Sequence, residues 1–234
     1  MLAGGSRSIL GLTLVTFTAM AAAIYMIFMY APMERVQGNI QRLFYAHMSM
    51  AWVAYLSFFM VFLGGAIYLA RRSRKWDRVA RSAATIGVVF TTLVLITGCL
   101  WGTRVWGACW TWDARLTTTL ILWFIYVGYL MLRGYVQEPD GRRRLAAIVG
   151  IAGFVVVPIN FLSVHWWRTL HPAPTVLRAD GPTLPPPMLA TLLVTVFAFT
   201  LLYVLLMRHQ MALERLIDEV DDMQFQLLLT ERKI

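Results

Sequence analysis

Residues 43–70 read LFYAHMSMAWVAYLSFFMVFLGGAIYLA, and Arg71 and Arg72 follow directly. The stretch holds no Asp, Glu, Lys or Arg, and His47 is its one imidazole. A helix needs roughly 20 apolar residues to cross the ~30 Å hydrocarbon core of a bilayer, and this run exceeds that. Inside lipid every backbone N–H and C=O must be satisfied by the segment itself, so such a run crosses as an α-helix. Five further runs are free of charge and long enough, or nearly so, to cross: Ile9 to Tyr30, Ser82 to Leu100, the shorter Thr117 to Leu132, Leu145 to Val164 and Met188 to Met207. Pro158 is expected to bend the fifth. The fold class that follows is all-α, a polytopic membrane helix bundle of six transmembrane helices.

Bulk chemistry agrees. Of 234 residues, 59% are hydrophobic and 14% charged, against about 25% charged in a soluble domain. The mean hydropathy is +0.64. A formal net charge of +9 would suggest nucleic acid in a soluble protein, but here the basic residues stand between apolar runs, where orientation signals belong. The expected surroundings are therefore the lipid bilayer, with no nucleic acid. The first apolar run is too long for a signal-peptide core and reads as an uncleaved span.

Orientation follows from the basic residues. One set of connections holds Arg71, Arg72, Arg74, Lys75, Arg78, Arg81, Arg133, Arg142, Arg143 and Arg144, with Arg7 and Arg208 on the same side. The other holds Arg35, Arg42, Arg104, Arg115, Arg168 and Arg178. The first set is about twice as rich, so the positive-inside rule puts both termini in the cytoplasm. The short basic inner loops read as plain topology signals. Three outer segments result: Ala31 to Arg42, Trp101 to Arg115 and His165 to Pro187. Residues 1–207 form one six-span domain. Residues 208–234 form a tail in which Leu213, Leu216, Ile217 and Val220 recur at helical spacing among acidic residues. This amphipathic cytoplasmic helix is expected to lie on the membrane or on the protein itself, or to dock a partner.

The second outer segment carries Trp101, Trp106, Trp110 and Trp112, followed by Asp113-Ala-Arg115. An aromatic belt at the membrane interface explains one or two such tryptophans. Four in one short loop with interleaved glycines suit a flat aromatic shelf instead. A porphyrin is a planar apolar ring with carboxylates on one edge. Indole faces suit the ring, and arginines such as Arg104, Arg115 or Arg168 suit the propionates. Asp113 reads as a structural charge that fixes the loop through an ion pair, with Arg115 or across helices. Iron requires axial ligands, histidine being a common choice. His47 lies at the outer start of the second span, His165 and His171 lie in the third outer segment, and His209 lies on the wrong side. Position alone leaves His165 and His171 as competitors to partner His47.

Other classes fit less well. A b-type membrane cytochrome in electron transfer needs histidine pairs within the bundle, and no histidine falls in the middle of a span. A solute transporter usually carries midplane charges, which this chain lacks. Cys99 and Cys109 form neither CxxC nor CxxCH, so covalent haem attachment to this chain is not indicated. Cys109 reads as a small residue filling a gap, with metal binding or oxidation on the outer face as the alternatives.

The segment Trp106-Gly-Ala-Cys-Trp110-Thr-Trp112-Asp113-Ala-Arg115-Leu-Thr resembles the tryptophan-rich WWD signature of haem-handling proteins in cytochrome c maturation. With Phe44-Tyr45-Ala-His47 before Ala51-Trp52, then Val157-Pro158 and Trp166-Trp167-Arg-Thr-Leu-His171, the likeness is to the haem exporter protein C (CcmC) family over nearly the whole chain. The resemblance implies that His47 and His171 are the outer-face haem ligands, which settles the tie with His165. It implies transient, non-covalent haem b, presented at the outer face of the bacterial inner membrane to the periplasmic haem chaperone CcmE. It also implies assembly with the ATP-binding subunit CcmA and the membrane subunits CcmB and CcmD. The chain itself is then not an enzyme; it has no GxxxxGK[ST] loop, so ATP chemistry belongs to a partner. Two departures stand out: Ala108-Cys109 replaces the usual Thr-Trp of the signature, and Ser49 replaces a usual proline.

Overall fold

The computed structural model describes residues 2–136, 138–172, 174–176 and 178–231. The side chain of Arg7 and residues 232–234 of the tail lie outside the described part. The chain forms helices α1 (Leu2–Tyr25), α2 (Arg42–Arg71), α3 (Arg74–Val105), α4 (Ala114–Tyr135), α5 (Pro139–Phe154), α6 (Val156–Trp166) and α7 (Pro186–Glu231). A π-helical turn, Met26–Tyr30, extends α1, and a 3-10 turn, Asn39–Gln41, leads into α2. Six helical stretches are long and apolar enough to cross a membrane, with α5 and α6 together making the fifth. No strand occurs among the described residues.

Most helices outrun the apolar stretches that mark them. The third span begins at Arg74 and ends at Val105, because charged and aromatic ends continue the helix into the interface, where their polar tips are hydrated. The break between α5 and α6 falls at Val155, whose N–H reaches back to the Ala152 carbonyl at 3.2 Å. Pro158 lacks an N–H, and its ring crowds the carbonyl four residues earlier, at Phe154, so the span is interrupted where the sequence predicts a bend.

Helices α2 and α3 pack along their length through small residues, the usual means of close approach in lipid. A Cβ at Gly64 would stand 2.9 Å from the Trp76 carbonyl oxygen, and one at Gly87 would stand 2.6 Å from the Phe58 ring. Phe58 in turn stacks on Tyr126 of α4, with ring centroids 3.8 Å apart. Val53, Val61, Ala83 and Tyr129 complete this buried centre.

The arginine-rich end is more than a topology signal. Arg133 donates two parallel hydrogen bonds to Asp77, at 2.7 and 2.6 Å, with both side chains buried. Arg143 approaches the same carboxylate at 3.9 Å. Past Met207 the last helix continues without interruption. Its acidic side faces the protein: Arg81 pairs with Glu214 at 2.8 Å, Arg78 with Asp218 at 3.2 Å and Arg74 with Asp222 at 2.8 Å. Leu213, Leu216, Val220 and Met223 are left exposed on the tail. At the opposite end of the bundle, the ends of α2, α3, α4 and α6 bring the tryptophans and two histidines together.

Candidate haem site

Helix α3 continues through Trp101 and Arg104, so the connection to α4 is shorter than the sequence suggests, running from Trp106 to Asp113. Trp101 is therefore a helical residue rather than a loop residue. Its indole N–H donates to Gln37 Oε1 at 3.0 Å, tying the connection between α1 and α2 to α3. Its ring stands edge-on to His47, with centroids 5.8 Å apart.

His47 is buried near the N-terminal end of α2. Its Nδ1 lies 2.8 Å from Thr97 Oγ1 on α3. The Thr97 hydroxyl spends its only proton on the Leu93 carbonyl at 2.7 Å. With that proton given to its own helix, Thr97 accepts from His47, so Nδ1 carries the proton and Nε2 keeps its lone pair. This tautomer is assigned from the hydrogen-bond network.

His171 reaches the same region from the segment after α6. Its Nδ1 lies 3.4 Å from Asp113 Oδ2, and its ring meets Trp106 with centroids 5.1 Å apart. A carboxylate only accepts, so Nδ1 again donates and Nε2 is again the free nitrogen. Asp113 is held from the other side. Its Oδ1 accepts from Leu116 N–H at 2.9 Å and caps α4, a favoured role for Asp. Burial works to raise the Asp113 carboxyl, but the Leu116 N–H, the His171 charge and hydrogen bonds from Thr169 and His171 hold it below its ordinary value. Burial depresses His171 below its ordinary value; Asp113 opposes this and Arg115 adds to it. The expected link between Asp113 and Arg115 is not formed, because Asp113 turns to His171.

Arg115 instead donates to the carbonyls of Asn160 and Phe161, at 3.4 and 3.2 Å. Asn160, fully buried on α6, answers with the two protons of its amide, shared among the Arg115 carbonyl at 3.0 Å and the Thr118 and Thr119 hydroxyls at 2.7 and 2.9 Å. It also accepts from the Tyr55 hydroxyl of α2. This polar knot locks α4, α6 and α2 together beneath the site. Trp101, which stands beside His47, and Trp106, which stands beside His171, lie close together at the end of α3, so both imidazoles meet at this end of the bundle.

Trp110 and Trp112 pack edge to face at 5.5 Å. Trp112 is 77% exposed and, with Asp113, Thr117, Trp167 and Arg168, lines an open cleft of about 360 Å³. The Trp110 indole N–H is buried with no partner among the described residues. Arg104 is exposed on the last turn of α3, and His165 is exposed on the last turn of α6. His209 lies on α7 near the arginine-rich end.

Sequence reasoning missed several residues. Cys109 is not a lone gap-filler, because it forms a disulfide with Cys99 of α3. Thr97 stands four residues before Trp101, on the same helix face, a spacing that would have marked it. Asn160 is a polar side chain in an apolar run, which marks a buried contact in a membrane helix. Two imidazoles with open Nε2 atoms, indole rings around them and cationic side chains nearby form a donor set suited to a haem with two axial nitrogens.

The sequence pattern of "Heme exporter protein C" matches residues 3–226. The chain is 39% identical to "Heme exporter protein C" of Bradyrhizobium diazoefficiens, over 75% of this chain and 67% of that one. It is 34% identical to the protein of the same name from Haemophilus influenzae, over 79% of this chain and 76% of that one. It is also 36% identical to a "Putative cytochrome c biosynthesis ccmC-like mitochondrial protein" of Marchantia polymorpha, over 64% of each.

Proposed function

The chain belongs to the haem exporter protein C family, and from that premise we propose that it binds haem b on the outer face of a bacterial inner membrane and hands it to the periplasmic chaperone CcmE. The family places the chain in haem export for cytochrome c maturation, as a multi-pass haem-handling subunit rather than a catalyst. Within that role His47 and His171 supply the axial nitrogens. Trp106, Trp110, Trp112 and Trp101 surround the ring, and Arg104, Arg115 and Arg168 are the cations available to its propionates. Asp113 orients His171. Haem is held without a covalent bond and is cargo. CcmA supplies ATP hydrolysis, and CcmB and CcmD complete the membrane complex.

The observation that carries this reading is the matched pair of imidazoles. Two histidines distant in sequence converge at one end of the bundle, each with Nδ1 committed and Nε2 free. The ligand-ready tautomer is thus set by neighbours, as is usual for metal-binding histidines. A second support concerns orientation. A disulfide persists in oxidising compartments, and Cys99–Cys109 lies at the tryptophan end, in accord with a periplasmic tryptophan loop and cytoplasmic termini. The test is haem transfer. The chain, co-purified with CcmA, CcmB and CcmD, is loaded with haem and mixed with CcmE, and haem on the separated chaperone is measured by absorbance. Loading is expected from wild type and lost in His47→Ala and His171→Ala; normal loading from both variants overturns the proposal.

A further inference from the structure

The tryptophan loop is held in an unusual way. Its start is fixed by the Trp106 N–H, which bonds the Gly102 carbonyl at 2.7 Å. Its end is fixed by the Asp113 cap on α4. Between these points, residues 107–112 make no hydrogen bond to any other described residue. Buried polar atoms of Trp110 and Thr111 are left without partners there. One cross-link crosses this gap, the disulfide from Cys109 to Cys99. It draws the middle of the loop back along α3, where Gly102 leaves room for it: a Cβ there would stand 2.9 Å from the Ala108 carbonyl oxygen. Cys109 stands immediately before Trp110 and is exposed, whereas Cys99 is partly covered on the helix. The covalent bond thus supplies what hydrogen bonds do not, and Cys109 is the more exposed of its two residues.

We propose that Cys99–Cys109 is a thiol-exchange latch on the aromatic platform, closed when oxidised and opened by a dithiol. The haem consequence rests on the reading of this end as the haem site. In the exchange step, a thiolate of the incoming dithiol attacks Cys109 Sγ. The disulfide breaks, and Cys99 leaves as a thiolate that takes up a proton. The second thiol of the reagent then attacks the mixed disulfide, forming the reagent's own disulfide and releasing Cys109, which is protonated in turn. Two electrons and two protons pass from the dithiol to the pair. Residues 107–112 then lose their one cross-link, so the indoles at 110 and 112 are no longer preorganised. Ordering them again on haem binding costs affinity.

The experiment uses the full chain in detergent, as isolated without reductant. Under native conditions, maleimide labelling followed by mass measurement is expected to add nothing before dithiothreitol and two labels after it. Hydrogen exchange over 106–113 is expected to rise on reduction while that of α2 stays unchanged. Haem titration is then compared between wild type and Cys99→Ser/Cys109→Ser, with no reductant present. The double variant is expected to bind haem on the order of tenfold more weakly, the cost of ordering the released indoles, with the spectrum of the bound form preserved. Cysteines that label at isolation, a pair that resists native dithiothreitol, or equal haem affinity in the two proteins would each overturn the latch. Wild type that binds no haem sinks the haem reading instead, and hydrogen exchange then still judges the control of the loop.

Discussion

Asp113 does two jobs with two oxygens, and substitution can separate them. Oδ1 caps α4 at Leu116 N–H, 2.9 Å away, and Oδ2 faces His171 Nδ1 at 3.4 Å. Asp113→Asn keeps a good cap, since Asn and Asp rank together at that position, but removes the negative charge behind the imidazole. Asp113→Ala removes both. Loss of such a partner behind a metal-binding histidine typically costs 10–100-fold in affinity, equivalent to about 1.4–2.7 kcal/mol. Loss of the cap costs a further ~0.5–2 kcal/mol of folding stability. Haem titration in detergent, followed by the Soret band, is therefore expected to show Asn and Ala weakened alike, by about one to two orders of magnitude. Thermal unfolding of the haem-free proteins is expected to separate them, with only the Ala variant clearly less stable. Wild-type haem affinity in Asp113→Asn would refute the argument that the carboxylate acts through His171. A large stability loss in the Asn variant would show that the charge, not the cap, holds the loop.

Other sites give sharper or simpler tests. Thr97→Val leaves the buried His47 Nδ1–H without an acceptor and is expected to weaken haem binding by roughly 10–100-fold, whereas Thr97→Ser retains the acceptor and most of the affinity. Asp77→Ala strands the buried Arg133 guanidinium and is expected to cost ~3–5 kcal/mol of stability, read as a lower unfolding midpoint in detergent. The pH response follows from His171 and Asp113. Burial depresses His171, so the folded state prefers its neutral form; the stability this brings is complete above its ordinary value of 6.5 and is lost as pH falls below it. Asp113 is also depressed, so its contribution is full above 3.8 and is lost only at lower pH. The unfolding midpoint is expected to fall as pH drops below 6.5, and to fall less in His171→Ala than in wild type.

The membrane architecture was legible because it rests on hydropathy, which each span displays locally. Boundaries were less so. Trp101 and Arg104 look like a loop to a hydropathy reading, yet they are the hydrated end of α3; likewise Arg208 and His209 interrupt the apolar pattern of α7 without interrupting its helix. The inner arginines carried an orientation signal in the sequence, but their carboxylate partners did not announce themselves. Asp77 lies 56 residues from Arg133, and Asp218 lies 140 from Arg78. The same distance effect hid the tautomer-setting partners at the tryptophan end. His47 and His171 were visible as residue types near a tryptophan cluster, whereas Thr97 and the turn of Asp113 toward His171 arise only when four segments converge. Cys99 and Cys109 stand ten residues apart, a separation that says little until α3 is seen to run past Cys99 and the loop to fold back along it.

The central claim is that His47 and His171 together hold haem at the tryptophan end. Its most direct test is electron paramagnetic resonance of the purified chain loaded with ferric haem, beside His47→Ala and His171→Ala. Wild type is expected to give a six-coordinate low-spin signal of two imidazole ligands, and each variant is expected to lose it, with exogenous imidazole restoring it. An unchanged low-spin signal in either variant would mean that the iron is held by other residues and would contradict the account.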